Sequence, residues 1–208
     1  MFIGNNIINY YDFLGLSVAC CNSVRDTGFS TVGEQAIIAE LENRGCEIPS
    51  IECRNDCPSH QGGRYEINAN KVILCVRDSR TLAGYVGTRR HELSHALDFC
   101  AEIDISCGSE QDKMNLLCSE IKARVWGSGT TVQSEAVDYA IGSVMWTCYE
   151  DLTQRVDARF TSIQDQLLYN TLVRKYTARA NAIYQICKNP GPEVPIPIPP
   201  EDVWDVEW

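Results

Sequence analysis

Five stretches of the chain carry apolar residues at the spacing of an amphipathic helix. The first covers residues 31–44, where Thr31 and Glu34 have the spacing of a capping box and Gly45 follows as a stop signal. The other four cover residues 88–100, about 110–126, about 135–150 and about 163–187. The pattern of residues 1–30 has no clear period and supports no prediction there.

Residues 62–76 have the pattern of a β-hairpin. Gly62-Gly63 opens it, Asn68-Ala69-Asn70 supplies the turn, and Val72-Ile73-Leu74-Cys75-Val76 is typical of a buried strand. The stretch before it, residues 46–60, holds two prolines and three cysteines, which predicts a loop held by cross-links.

The end of the chain differs in character from the rest. Six of the eight prolines fall within it, which favours extended polyproline structure: Pro190, Pro192, Pro195, Pro197, Pro199 and Pro200. The last eight residues are acidic and include Trp204 and Trp208. Composition is typical of a solvated tail, whereas the tryptophans are typical of a docking peptide, and both interpretations stay open.

The bulk composition is that of a globular protein, with 44% hydrophobic and 22% charged residues in 208. A net charge of −10 repels phosphates and anionic headgroups, so we expect no nucleic-acid partner. No apolar run approaches the roughly 20 residues that span a bilayer. The first basic residue is Arg25, so we expect neither a conventional secretory signal nor a mitochondrial presequence.

Eleven cysteines are spread along the whole chain, which predicts several disulfides and an oxidising compartment. Because the number is odd, at least one thiol is left over within the chain. The spacing does not define the pairing. Cys53 and Cys57, with His60 and Cys75 nearby, could alternatively bind a structural zinc ion, although the many other cysteines favour disulfides.

The stretch His91-Glu92-Leu93-Ser94-His95 carries the strongest chemical signal. Histidines four residues apart on a helix lie on one face and can bind one metal ion, for which zinc is the first choice. Glu92 can then act as general base on metal-bound water and pass the proton to the leaving amine. This pattern predicts a zinc metalloendopeptidase; the alternative is a surface helix that contains these residues by coincidence.

A catalytic zinc generally has three protein ligands, and Glu120 on the next predicted helix is our choice for the third. It shares a helix side with apolar residues and is expected to face inward. The alternative is an ordinary i,i+4 ion pair between Glu120 and Arg124. Asp98 lies three residues beyond His95, and we expect it to accept a hydrogen bond from an imidazole.

Several motifs occur in the order found in the mitochondrial inner-membrane metalloproteases that process an ATP synthase subunit, and over residues 53–151 the chain resembles that family. The matching pieces are Cys53 and Cys57, Gly62-Gly63-Arg64-Tyr65, Val72-Ile73-Leu74-Cys75, His91 to Asp98 with Cys100, Cys118-Ser119-Glu120-Ile121-Lys122-Ala123 and Val144 to Asp151. The zinc motif alone is common to many peptidases, and the ordered set is more specific.

The resemblance implies a zincin-like, disulfide-stapled α+β fold, mostly helical with a small antiparallel sheet. It also implies a protein substrate, location in the mitochondrial intermembrane space peripheral to the inner membrane, and help in assembling the ATP synthase membrane sector. The alternative function is a non-catalytic assembly factor that keeps the peptidase fold. We predict four segments: an N-terminal segment (1–52), the peptidase core (53–160), a C-terminal helix (161–188) and a proline-rich acidic tail (189–208).

Overall fold

The computed structural model describes residues 18–58, 61–76, 81–103, 105–128, 130–158 and 162–188. The chain divides into two compact units, an N-terminal unit of residues 1–100 and a C-terminal unit of residues 101–208. The proline-rich tail predicted from the sequence lies outside the described residues, as does His60. The four-segment division drawn from the sequence stays a prediction.

The N-terminal unit combines helices with a small sheet. Helix α1 has a described part at residues 18–26. The following elements are α2 (Val32–Asn43), β1 (Ser50–Arg54), β2 (Gly63–Glu66), a 3₁₀ turn (Ile67–Ala69), β3 (Lys71–Cys75) and α3 (Leu82–Cys100).

Helix α2 begins where its capping box predicts. The Thr31 hydroxyl accepts a hydrogen bond from the Glu34 backbone N–H, and the Glu34 carboxylate accepts one from the Thr31 N–H at 2.8 Å. The chain leaves the helix at Gly45, whose φ of +74° is a left-handed conformation that glycine adopts without a Cβ penalty. Both helix signals are confirmed.

The three strands form a mixed sheet in the order β1-β3-β2. Strands β2 and β3 are antiparallel, with Gly63 opposite Leu74, and Asn70 turns between them with a positive φ of 46°. This pair is the predicted hairpin. Strand β1 adds to the other side of β3 in parallel, with Cys53 opposite Leu74. The sequence predicted only an antiparallel sheet, so the parallel strand is an addition to the prediction.

Helix α3 packs one face against α2 and another against the sheet. Buried residues Leu93, Ala96 and Leu97 form one apolar cluster with side chains of α2, namely Ile37, Ile38 and Leu41. Tyr85, near the start of α3, is fully buried in a second cluster with Val72 and Leu74 of β3. The helix begins at Leu82, six residues before the predicted start at residue 88.

All eleven cysteines lie in the described residues, and ten of them form five disulfides. The N-terminal unit holds Cys21–Cys53, Cys46–Cys100 and Cys57–Cys75, and the C-terminal unit holds Cys107–Cys148 and Cys118–Cys187. Cys20 keeps the free thiol that the odd count requires. The predicted disulfides are confirmed, and the alternative zinc site is wrong because its three cysteines are all oxidised.

The described part of the C-terminal unit contains four helices: α4 (Glu110–Ser128), α5 (Gln133–Cys148), α6 (Glu150–Asp157) and α7 (Ile163–Cys187). The apolar faces of α4, α5 and α7 meet in a single cluster around Met114, Leu117, Val144 and Tyr176. Helix α7 has the predicted bounds, whereas the helix predicted for residues 135–150 ends at Cys148 and a separate helix follows. No helix in the described part of the chain has the length and apolarity needed to cross a membrane.

Candidate metal centre

Helix α3 brings His91 and His95 together on one face, one turn apart. Their Nε2 atoms are 3.2 Å apart, and the two rings meet edge to face with centroids 4.9 Å apart. His91 is buried, whereas His95 is partly exposed. The two imidazoles therefore place a ring nitrogen each within reach of one ion.

Glu92 completes a compact group of three donors. One ligand atom from each of His91, Glu92 and His95 lies within 4.8 Å of the other two. Glu92 is only 7% exposed, which is rare for a carboxylate and requires polar surroundings. The described residues contain no other such cluster of histidine, cysteine and acidic side chains.

The spacing of the two histidines fits a shared metal ion. Two nitrogens bound at about 2.0–2.1 Å to one tetrahedral zinc ion lie about 3.3 Å from each other. The observed Nε2 separation of 3.2 Å matches that value. A neutral pair of imidazoles can also share an N–H···N hydrogen bond at this distance, so binding has to be tested with the metal itself.

The helix that carries these donors is tied to α2 at two points. Near the middle of α3 the Arg89 guanidinium donates to both carboxylate oxygens of Glu34, at 2.6 and 2.8 Å. At the C-terminal end of α3 Cys100 is joined to Cys46, which follows α2. Between these two points the buried side of α3 makes apolar contacts with α2, so the histidine face has little freedom to rotate.

Two further residues of α3 lie beside the donors. The Ser94 hydroxyl donates to the His91 carbonyl oxygen at 2.7 Å. Asp98, for which the sequence suggests a hydrogen bond to an imidazole, is 1% exposed and lies one turn beyond Ser94. Its burial agrees with a role inside the site, and the bond to a histidine stays a prediction.

Strand β2 lies against the turn of α3 that carries Glu92. A Cβ placed on Gly63 would come within 3.3 Å of the Glu92 Cγ and within 2.6 Å of the Thr88 Cγ2. Since β2 is an edge strand, alternate backbone N–H and C=O groups along it have no partner within the sheet. An edge of this kind beside the donors is what an extended peptide needs in order to bind by strand addition.

Glu120, the predicted third ligand, belongs to helix α4 in the C-terminal unit. The side chain is half-buried, and its Oε2 atom is inaccessible to solvent. This agrees with the inward orientation expected from its apolar neighbours along the helix. The ligand role and the alternative ion pair with Arg124 both stay predictions.

Two residues near the donors were not identified from the sequence as part of the site. Arg89 stands two positions before His91, where a charge is unfavourable on a buried helix, and its partner Glu34 is 55 residues away. Gly63 was assigned to the start of a hairpin and to one of the stretches that match the family, with no role beside the donors. In both cases the relevant contact is between distant parts of the chain, for which local pattern carries no signal.

Comparison with known proteins agrees with the chemistry of this cluster. Residues 19–189 match the family model described as "Peptidase M76 family". No curated protein and no solved structure matches the chain. A peptidase acts on a protein or peptide, and the group of His91, Glu92 and His95 supplies donors for a metal cofactor. Because the match covers most of the 208 residues, the chain belongs to the Peptidase M76 family.

Proposed function

We propose that the protein is a zinc-dependent endopeptidase in which His91 and His95 bind the metal and Glu92 is the general base. The observation that carries this proposal is the grouping of the three donors within 4.8 Å on one helix of a peptidase-family chain. Two imidazoles, together with a carboxylate ligand other than Glu92, form a donor set that suits zinc. The separation of the histidine nitrogens supports a shared ion rather than two independent sites.

Glu92 has the burial that a general base in this position needs. Its carboxylate lies beside the histidines, and the residue as a whole is 7% exposed, so the protein limits the positions that the side chain can take. In the proposed reaction Glu92 accepts a proton from the attacking water and delivers it to the leaving amine. When bound, zinc would lower the pKa of that water and polarise the scissile carbonyl.

The edge strand β2 is proposed to hold the substrate. An extended peptide that adds to β2 would gain main-chain hydrogen bonds, and Gly63 would place its backbone beside Glu92. Arg64 and Glu66 alternate with Gly63 and Tyr65 along this strand, so both charges and an aromatic ring border the binding edge. This mode predicts cleavage within unfolded or extended segments.

Glu120 is proposed as the third zinc ligand on the sequence argument alone. Two histidines and a glutamate are one of the established ligand sets of catalytic zinc. Replacing Glu120 by Gln would then weaken zinc binding, with a loss on the order of 10–100-fold or more expected for a direct ligand. An unchanged zinc affinity in Glu120→Gln would assign the third ligand to another residue.

The test of the main proposal measures zinc binding and peptidase activity separately. Purified parent protein is expected to contain about one zinc per chain and to cleave an unfolded protein substrate. Glu92→Gln should keep the zinc and lose activity, because the amide cannot accept the proton, and the loss should reach at least about 10²-fold. Full activity in Glu92→Gln would refute the mechanism.

A cellular version of the same test addresses the alternative function. If Glu92→Gln restores ATP synthase assembly in cells that lack the protein, a non-catalytic assembly role is favoured over proteolysis. If only the active protein restores ATP synthase assembly, then assembly requires proteolytic processing by this protein. Zinc content of the variant, measured in parallel, excludes simple misfolding as the cause of a failure.

The proposed substrate is a membrane subunit of the mitochondrial ATP synthase, and the proposed location is the intermembrane space, peripheral to the inner membrane. The five disulfides support an oxidising compartment, because thiols at this density stay reduced in the cytosol. The rest of this proposal depends on the family resemblance. Protease protection in intact and outer-membrane-ruptured mitochondria tests the location: the protein should be degraded only after rupture.

A further inference from the structure

Strand β2 approaches α3 so closely at Gly63 that no side chain fits there. A Cβ on Gly63 would be 2.6 Å from the Thr88 Cγ2 and 2.7 Å from the Ile73 carbonyl oxygen. The first contact is with the helix and the second is with the neighbouring strand β3. An added Cβ would therefore meet both the helix and a backbone oxygen of the neighbouring strand, and relief of the clash requires that both contacts lengthen.

The position of Thr88 in this contact is fixed by a hydrogen bond. Its hydroxyl donates to the Gly84 carbonyl oxygen at 3.0 Å, one turn earlier in α3. This bond selects the rotamer in which the methyl group faces Gly63. The helix therefore presents a rigid surface to the strand at this point, and the same surface continues to the Glu92 Cγ, 3.3 Å from the virtual Cβ.

We infer that Gly63 is a positioning residue for the proposed general base: the bare backbone of β2 sets the position of the Glu92 side chain. Glu92 reaches 7% exposure partly because β2 lies directly over its methylene groups. Gly63 does not have a positive φ, so glycine is required there because of the short distances to neighbouring atoms and not because of the backbone conformation. This inference rests on the proposed role of Glu92.

The test is Gly63→Ala in the full chain loaded with zinc. The added methyl group displaces Glu92 or the strand by a fraction of an ångström to an ångström, and displacements of that size can lower kcat by about 10–100-fold. We expect the zinc content to stay at the parent value and KM to change less than kcat. Amide hydrogen exchange of the peptide that covers residues 88–95 should become faster.

A second variant tests whether the lower kcat of Gly63→Ala comes from displacement of Glu92 or from general destabilisation of the protein. Gly63→Ala combined with Thr88→Ser removes the methyl group that lies 2.6 Å away and keeps the hydroxyl that bonds to Gly84. Part of the lost kcat should return. The matched control is Gly142→Ala, because Gly142 in α5 has no atom within 4 Å of a virtual Cβ, and its kcat should equal that of the parent.

The inference is overturned if Gly63→Ala keeps the parent kcat, if its loss of activity follows zinc loss or the unfolded fraction, or if the double variant regains nothing. Failure of both variants to fold would also overturn it, since the close approach would then serve the fold rather than Glu92. The proposed function fails separately, if the parent itself cleaves nothing or if Glu92→Gln stays active. The hydrogen-exchange measurement still reports on the contact in that case.

Discussion

The Arg89 guanidinium and the Glu34 carboxylate form a two-pronged ion pair in which neither side chain has any solvent exposure. Glu34 also accepts the backbone N–H groups of Ser30 and Thr31, and Arg89 donates to the Val24 carbonyl oxygen at 2.6 Å. One carboxylate therefore caps α2 and neutralises a cation of α3. The pair joins the two helices two residues before the first proposed zinc ligand.

Breaking this pair should be costly, because a lone buried charge stays behind. We expect Arg89→Met to lower the free energy of unfolding by about 3–5 kcal/mol, although methionine restores much of the volume. Urea unfolding at pH 7 measures the effect. Arg25→Met is the matched control: Arg25 and Asp26 are paired on the surface with exposures of 43% and 65%, and the change should stay below about 0.5 kcal/mol. Equal losses in the two variants would contradict the prediction.

The Cys46–Cys100 disulfide should support the C-terminal end of α3. Replacing both cysteines by serine removes a cross-link that restricts the unfolded chain, and a loss of about 2–4 kcal/mol in the free energy of unfolding is typical of such a bond. The bond joins residues separated by 54 positions. Cys20→Ser provides the control, since this thiol is free and its replacement should change stability by no more than about 0.5 kcal/mol. If Cys20→Ser lowered the free energy of unfolding more than removal of the Cys46–Cys100 bond does, this disulfide would not be the cross-link that stabilises the unit.

Signals that are local in sequence predicted the structure well. The capping box of Thr31 and Glu34 located the start of α2, and α7 has the predicted limits. The turn of the hairpin was also located correctly. Each of these features depends on residues within a few positions of one another, whose hydrogen bonds and backbone conformations are largely set by residue type.

Elements that depend on contacts between distant residues were either not predicted or predicted to be shorter than they are. Strand β1 lies in a stretch interpreted as a cross-linked loop, because its pairing with β3 joins residues about 21 apart and is reinforced by disulfides. Helix α3 starts earlier than predicted because Gly84 and Gly87 weaken the local helix signal, while burial of Tyr85 against the sheet overrides it. The candidate site shows the same difference. The metal-binding motif on α3 was predicted from the sequence, whereas the contacts with distant residues that hold α3 in position were not.

Removing the metal should destabilise the protein only while both histidines are present. Zinc that binds the native state stabilises it, by about 2.7 kcal/mol at a free concentration 100 times the Kd. We expect EDTA to lower the Tm of the parent and to leave the Tm of His95→Ala unchanged. His60→Ala, the chain's third histidine, is the matched control and should respond to EDTA as the parent does. A parent-like response in His95→Ala would show that the metal binds elsewhere.

The C-terminal unit should lose stability in acid through Glu110, the first residue of α4. Burial raises the pKa of Glu110, but hydrogen bonds from Lys175 and Arg179 of α7 outweigh that effect and lower it to about 2. Since the folded pKa lies below the unfolded value of 4.5, the stabilisation is complete above pH 4.5 and is lost as the pH falls towards 2.

The measurement is the difference in Tm between the parent and Glu110→Gln from pH 7 to pH 2. Near neutral pH the variant should unfold first, because glutamine leaves the nearly buried Arg179 without its carboxylate. The difference should narrow below pH 4.5 as Glu110 of the parent takes up a proton. Asp138→Asn, at an exposed position of α5, serves as control and should change the Tm little at pH 7. A difference for Glu110→Gln that stays constant down to pH 2 would mean that the charge of Glu110 does not hold α4 to α7.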